Sequence, residues 1–165
     1  MGYHVLIPSK NECCFSGHRQ IDPAVLPRLQ KLLQAEIIAQ YRKGVRRFNA
    51  GGAIGFDTMA AQAVLSLREK CPGMSLVLVL PCEDQDHLWN REEQQTYLDI
   101  LLKADEVHYI TRSYRKGCMY ERNRSLVDRS DRCVCYDVHT GRGTKYTLDY
   151  CKKQGVPVIN LAEKL

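Results

Sequence analysis

Among its 165 residues the chain has no C-x-x-C pair, no internal repeat, no low-complexity linker and no apolar run near the ~20 residues that span a bilayer. Each absence excludes a class. Eight cysteines are present, but Cys13 and Cys14 are adjacent and Cys133 and Cys135 alternate within an apolar run, without the spacing of zinc ligands. Small buried thiols in a reducing compartment account for them, and neither a metal site nor a cofactor is assigned. The opening MGYHVLIPSK lacks the basic and apolar regions of a secretory signal, so the expectation is a cytoplasmic protein with no membrane partner. Strong charge bias is missing too. The net charge of +5 is spread over Lys and Arg interleaved with Asp and Glu, which permits non-specific affinity for nucleic acid without demanding it.

What is present is a repeated alternation of strand and helix patterns. Its centre is FNAGGAIGFDTMAAQAVLSL at 48–67, where a short β-prone lead-in meets Gly51-Gly52-Ala53-Ile54-Gly55 and an alanine-rich helix with Asp57 in its first turn. Before it, Cys13-Cys14-Phe15 reads as a strand ending in Ser16-Gly17-His18-Arg19. Asp22-Pro23 reads as an N-cap with proline at the first helical position, followed by Leu26, Leu29, Leu33, Ile37 and Tyr41 at helical spacing. The continuous run Leu76 to Leu80 predicts a central strand covered on both faces. A charged helix is expected over 84–103, with Leu88, Tyr97, Leu98, Ile100, Leu101 and Leu102 as core candidates, then a strand from Val107 to Ile110. A loop and helix within 114–130, a strand over 133–136, a helix through Lys153 and a strand over 155–161 complete the pattern. The predicted fold is a three-layer Rossmann-like α/β sandwich with a mostly parallel sheet flanked by helices, one domain over 12–165 preceded by an N-terminal extension at 1–11.

In such a sheet ligands bind beyond the carboxyl ends of the strands, where strand order reverses. Four turns are expected there: Ser16 to Arg19, Gly51 to Asp57, Arg122-Asn123-Arg124, and Gly141 to Thr144. Gly51, Gly52, Ala53 and Gly55, like Gly141, Gly143 and Thr144, suit a loop whose backbone N–H groups cradle a phosphate at a helix start. Arg19, Arg122 and Arg124 supply fork-like donors for phosphate oxygens, and Asp57 suits a ribose hydroxyl better than a phosphate. Each residue also has a plainer reading. A glycine turn can serve packing alone, Asp57 can stabilise its own helix start, and His18 can be a hydrogen-bonded strand end. Arg122 and Arg124 can form a solvated face, or join Arg112, Arg115, Lys116, Arg129 and Arg132 in one basic patch for nucleic acid.

The motifs CCFSGHR at 13–19, FNAGGAIGFDTMAA at 48–61, LPC at 80–82, KADEV at 103–107, GCMYERNRSLVDRSD at 117–131 and TGRGTKYTLDYC at 140–151 together resemble the SLOG superfamily. That superfamily joins DprA-type proteins with the Lonely Guy phosphoribohydrolases, and the likeness is to its YpsA-like branch. The resemblance implies a pocket for a nucleotide or nucleotide-derived ligand of the size of NAD or ADP-ribose, a setting in bacterial stress or cell division, and a homo-oligomer. In the Lonely Guy enzymes the loop resembling Gly143-Thr144 is followed by glutamates that serve N-glycosidic cleavage, with an arginine on the preceding helix. This chain keeps Glu121-Arg122 but has Tyr146 and Thr147 in place of those acids, and neither hydroxyl shuttles a proton near neutral pH. Binding or sensing is therefore the first reading. The alternatives are a nucleotide hydrolase drawing its acid or base from Asp57, His18, Glu121 or Asp137, and a DprA-like binder of single-stranded nucleic acid.

Overall fold

Leu76, Leu78 and Leu80 turn to one side of the sheet and Val77 and Val79 to the other, and all five side chains are fully buried. A strand covered on both faces requires helices above and below it. The structure, a computed structural model, describes residues 10–139 and 142–165. Within them the strands are β1 (Glu12–Gly17), β2 (Arg47–Ala50), β3 (Ser75–Leu80), β4 (Glu106–Tyr109), β5 (Arg132–Tyr136) and β6 (Val158–Asn160). The helices are α1 (Leu26–Arg42), α2 (Phe56–Leu67), α3 (Arg91–Lys103), α4 (Cys118–Asp128) and α5 (Arg142–Gln154), and a 3-10 turn over Leu161–Lys164 ends the chain.

The sheet runs β4-β3-β2-β1-β5-β6 with every pairing parallel, so the expected sandwich is a three-layer fold on a wholly parallel six-stranded sheet. Phe15, Phe48, Leu76, Val134 and Tyr136 pack beneath α1, α2 and α3. On the opposite face Cys14, Val77, Val79, Cys133 and Cys135 meet Leu126 and Val127 of α4 and Cys151 of α5. Alternate residues of one strand thus serve two cores. The chain builds the sheet outward from β1 to β4, then α4 carries it back over the second face to place β5 beside β1. The carboxyl ends of β1 and β5 therefore flank the point where strand order reverses.

Several element boundaries differ from those read in the sequence. Helix α1 begins at Leu26 with Pro27 in its first turn, because the Asp22 carboxylate accepts the Ala24 N–H at 2.9 Å and closes a separate turn over Pro23. Helix α3 begins at Arg91, not in the mid-80s. Asn90 accepts the Glu93 N–H at 2.8 Å while the Glu93 side chain reaches back to the Asn90 N–H, a capping box that fixes the start there. Only Tyr97 and Ile100 of the expected core positions are deeply buried; Leu88 is 90% exposed, and Leu98 and Leu102 also face outward, since one narrow side of α3 meets the sheet and α2. Strand β6 stops at Asn160, whose side chain accepts the Ala162 N–H at 3.1 Å and turns Leu161 into the terminal helix. Of the predicted extension, residues 1–9 lie outside the described residues, and the backbone amides of Lys10 and Asn11 donate to the Asp131 carboxylate. Among the described residues no helix is long and apolar enough to cross a membrane.

Candidate functional site

Strand β1 delivers two residues of opposite character to the switch point. Ser16 follows Cys14 onto the α4–α5 side, where it is only 8% exposed, and its hydroxyl has no hydrogen-bond partner among the described residues. Gly17 points the other way, and a Cβ there would lie 2.5 Å from Phe56, so the glycine allows α2 to seat against the strand. His18 comes next and is held on both nitrogens. Its Nε2 accepts the Val138 N–H at 3.0 Å, its Nδ1 lies 3.5 Å from the Thr144 hydroxyl, and the buried Asp137 carboxylate stands 3.4 Å from Nε2. A backbone amide always donates, so the neutral imidazole carries its proton on Nδ1. His18 then donates toward Thr144 and leaves that hydroxyl's own hydrogen free for a ligand.

The glycine loop after β2 is filled mainly by protein. A Cβ on Gly55 would stand 2.3 Å from the Arg19 carbonyl oxygen, and one on Gly52 would stand 2.4 Å from Leu80, whereas Gly51 faces Asp57 and Arg122. Arg122 reaches across from α4 to donate from Nη1 to the Gly51 carbonyl and from Nε to Asn123 Oδ1 at 2.8 Å. It is 5% exposed. Burial lowers the Arg122 pKa against the opposing pull of Asp57, and burial raises the Asp57 pKa against the pull of Arg122, of the Ala53 N–H at 3.3 Å and of Arg19. Asp57 and Arg122 therefore sit as two desolvated charges beneath the switch point that favour each other through space, without a direct ion pair.

Above that pair lies a cavity of about 420 Å³, of a size for a small-molecule ligand. Ser16, Gly17, His18, Arg19, Ala53, Asp57, Arg122, Asn123, Gly143 and Thr144 all line it. The β1 and β2 loops and the first turns of α4 and α5, far apart in sequence, thus converge on one space; Arg122 and Asn123 reach it from within helix α4 and not from a turn. Gly51, Gly52 and Gly55 are not on its wall. Arg124 is also absent from it: its Nη1 donates at 2.7 Å to the Tyr146 hydroxyl, on the outer side of α4 and α5. Gly141 lies outside the described residues. Sequence reasoning missed Met119, Tyr120, Leu126 and Thr147, which also line the cavity. Helical spacing carried the signal, because Met119, Arg122 and Leu126 recur on one side of α4, as do Tyr120 and Asn123, and Thr147 stands one turn after Thr144. Thr147 donates to the Gly143 carbonyl at 3.1 Å, so the hydroxyls at the two acid positions, Tyr146 and Thr147, are both committed within the protein.

Three residues of the expected basic patch do not join a single exposed stripe. Arg122 is buried, Arg115 pairs with Glu121 at 2.7 Å, and Arg132 opens β5 at the amino-terminal edge of the sheet, where it donates to Gln40 at 2.9 Å.

A match to the family model YpsA, that of the YspA SLOG family, covers residues 15–157, nearly the whole described fold and every wall of the cavity. The chain belongs to the YpsA SLOG family. Among similar family proteins, the UPF0398 protein BH1768 of Halalkalibacterium halodurans is 31% identical over 129 residues, covering 76% of this chain and 68% of its own. The SPbeta prophage-derived protein YoqJ of Bacillus subtilis is 28% identical over 146 residues, covering 80% of this chain and 84% of its own. DNA processing protein A of Helicobacter pylori, solved for its single-stranded DNA binding mode, superposes with a TM-score of 0.63 at 17% identity over 89% of this chain and 63% of that one. The Streptococcus pneumoniae DprA gives 0.64 at 16% identity over 89% of this chain and 48% of that one, so the YpsA SLOG chain spans about half to two thirds of those proteins. At such identities the likeness is one of fold.

Proposed function

We propose that this protein binds a phosphate-bearing, nucleotide-derived ligand, of the class of AMP or ADP-ribose, in the cavity at the β1–β5 switch point. The observation that carries the reading is the Ser16 hydroxyl, which opens onto the cavity from a largely buried residue and makes no hydrogen bond to the described residues. A ligand oxygen can therefore take up its hydrogen bond without displacing a protein partner. Thr144 and Gly143 in the first turn of α5 add a hydroxyl and the positive end of a 13-residue helix on the same wall. Arg19 brings positive charge at the rim, and Asp57 on the floor accepts from a sugar hydroxyl. Compared with a cradle shared between two glycine loops, this assignment moves the phosphate to the α5 side, because the Gly51–Gly55 loop is occupied by Arg122, Leu80 and the Arg19 backbone.

The hydrogen bonds of His18 support binding over hydrolysis. Nε2 accepts the Val138 N–H and Nδ1 faces the Thr144 hydroxyl, so neither nitrogen is free to act as a base. Nucleic-acid binding finds less support, since Arg122 is buried and Arg115, Arg124 and Arg132 are engaged by protein partners. Calorimetry on the full chain tests the reading with AMP and ADP-ribose. Ser16→Ala and Thr144→Val should each weaken binding about 10-fold while leaving the urea midpoint close to that of the parent. Parent-like affinity in both variants would contradict it.

A further inference from the structure

We infer that Tyr120 is a stacking shelf for the planar ring of the ligand, so that the site prefers nucleotides carrying a nucleobase over bare sugar phosphates; this rests on the phosphate cradle proposed above. Tyr120 lies in the first turn of α4, on the same cavity wall as Met119 and Asn123 and facing the space that Gly143 and Thr144 border. It is 45% exposed, yet its ring is held. The Tyr146 ring meets it edge-on with centroids 4.5 Å apart and planes at 60°, and the Tyr146 hydroxyl accepts the Arg124 Nη1–H at 2.7 Å. Arg124, Tyr146 and Tyr120 thus form a chain from α4 to α5 and back that ends at the cavity.

An exposed tyrosine alone marks nothing. Tyr114 is 64% exposed and has neither a ring contact nor a place on the cavity wall. Tyr120 differs in both respects. A ring fixed before binding loses little side-chain freedom when a second ring stacks on it, and the stack itself does not depend on which base is presented. Tyr120 therefore separates ligands with a ring from ligands without one, while the phosphate contacts serve both.

The test compares AMP with ribose 5-phosphate by calorimetry on the full chain and on Tyr120→Ala and Tyr120→Phe. The unmodified protein should bind AMP about 10-fold more tightly than ribose 5-phosphate. Tyr120→Ala should abolish that preference with ribose 5-phosphate affinity unchanged, which also shows that the variant is folded; Tyr120→Phe should retain it, because stacking does not need the hydroxyl. Equal binding of the two probes by the unmodified protein would overturn the shelf while leaving the cradle standing, as would a preference that survives in Tyr120→Ala or disappears in Tyr120→Phe. Failure of both probes to bind the unmodified protein would refute the cradle and the shelf together.

Discussion

Gly55 shows how a residue suited to phosphate recognition can be required by packing instead. Its φ of +83° lies where L side chains are strained, and its missing Cβ leaves room for the Arg19 carbonyl, which would otherwise be 2.3 Å away. The Phe56 N–H then donates to the His18 carbonyl at 3.0 Å, so the glycine lets the β1 end and the start of α2 lock together. Gly55→Ala should cost about 3 kcal/mol or more in urea unfolding. Gly155→Ala, with a φ of +73° but open space around it, should cost only about 1 kcal/mol of backbone strain. Equal costs would mean that close approach is not the reason for Gly55. Arg47 offers a second test at this scale. It bridges Glu12 at 3.1 Å and Glu106 across three strands, and its hydrogen bond to Glu106 holds that carboxyl below its ordinary value of 4.5. A folded-state pKa below the unfolded one gives stability that is complete above the unfolded value and lost as pH falls through the folded one. Glu106→Gln should therefore flatten the loss of stability below about pH 4.5, by no more than about 1 kcal/mol because both partners are over a third exposed. Urea midpoints between pH 7 and 3 read this directly, and an unchanged acid limb would contradict it.

Among the elements, α3 has a start set by side-chain hydrogen bonds and α1 does not. The Asn90–Glu93 capping box satisfies amides that a helix start otherwise leaves open, and Asn90→Ala should cost about 1 kcal/mol by thermal or urea denaturation. No loss would place the start of α3 under tertiary control alone. The sequence carries an N-x-x-E signature at Asn90–Glu93 that the expected helix over 84–103 did not use, and Leu88 lies outside the helix. Periodicity also could not tell which of Tyr97, Leu98, Ile100, Leu101 and Leu102 face inward, because that depends on how the helix is rotated against α2 and the sheet. The strands were easier to read. A run such as Leu76 to Leu80 has few other roles in an α/β chain, and the order of alternation then left few topologies.

At the scale of the whole molecule, the sequence showed which turns reach the carboxyl edge but not what each one does there. The Arg122–Gly51 contact joins residues 71 apart and depends on the reversal that sets α4 over β1. For the same reason Arg122 and Arg124, two residues apart, have opposite fates: one is buried beneath the cavity and the other holds Tyr146 outside it. The two-core arrangement also governs the thiols. Seven of the eight cysteines are buried, and Cys71 is the partly exposed one. Burial pushes the Cys135 thiol up to about 12 and raises Cys13 and Cys82 as well. An aromatic disulfide reagent should label no more than about one thiol in the native protein, at Cys71, and all eight after denaturation. Rapid native labelling of several would contradict the packing of the α4–α5 core.

The central claim is the place and chemistry of the cavity, and an amide-resolved NMR titration with ADP-ribose tests it most directly. Saturable shifts should concentrate at the amides of Ser16 to Arg19 and Gly143 to Thr147, with smaller changes at Met119 to Asn123. Absence of shifts at millimolar ligand, or a saturable response confined to other surfaces, would contradict the account.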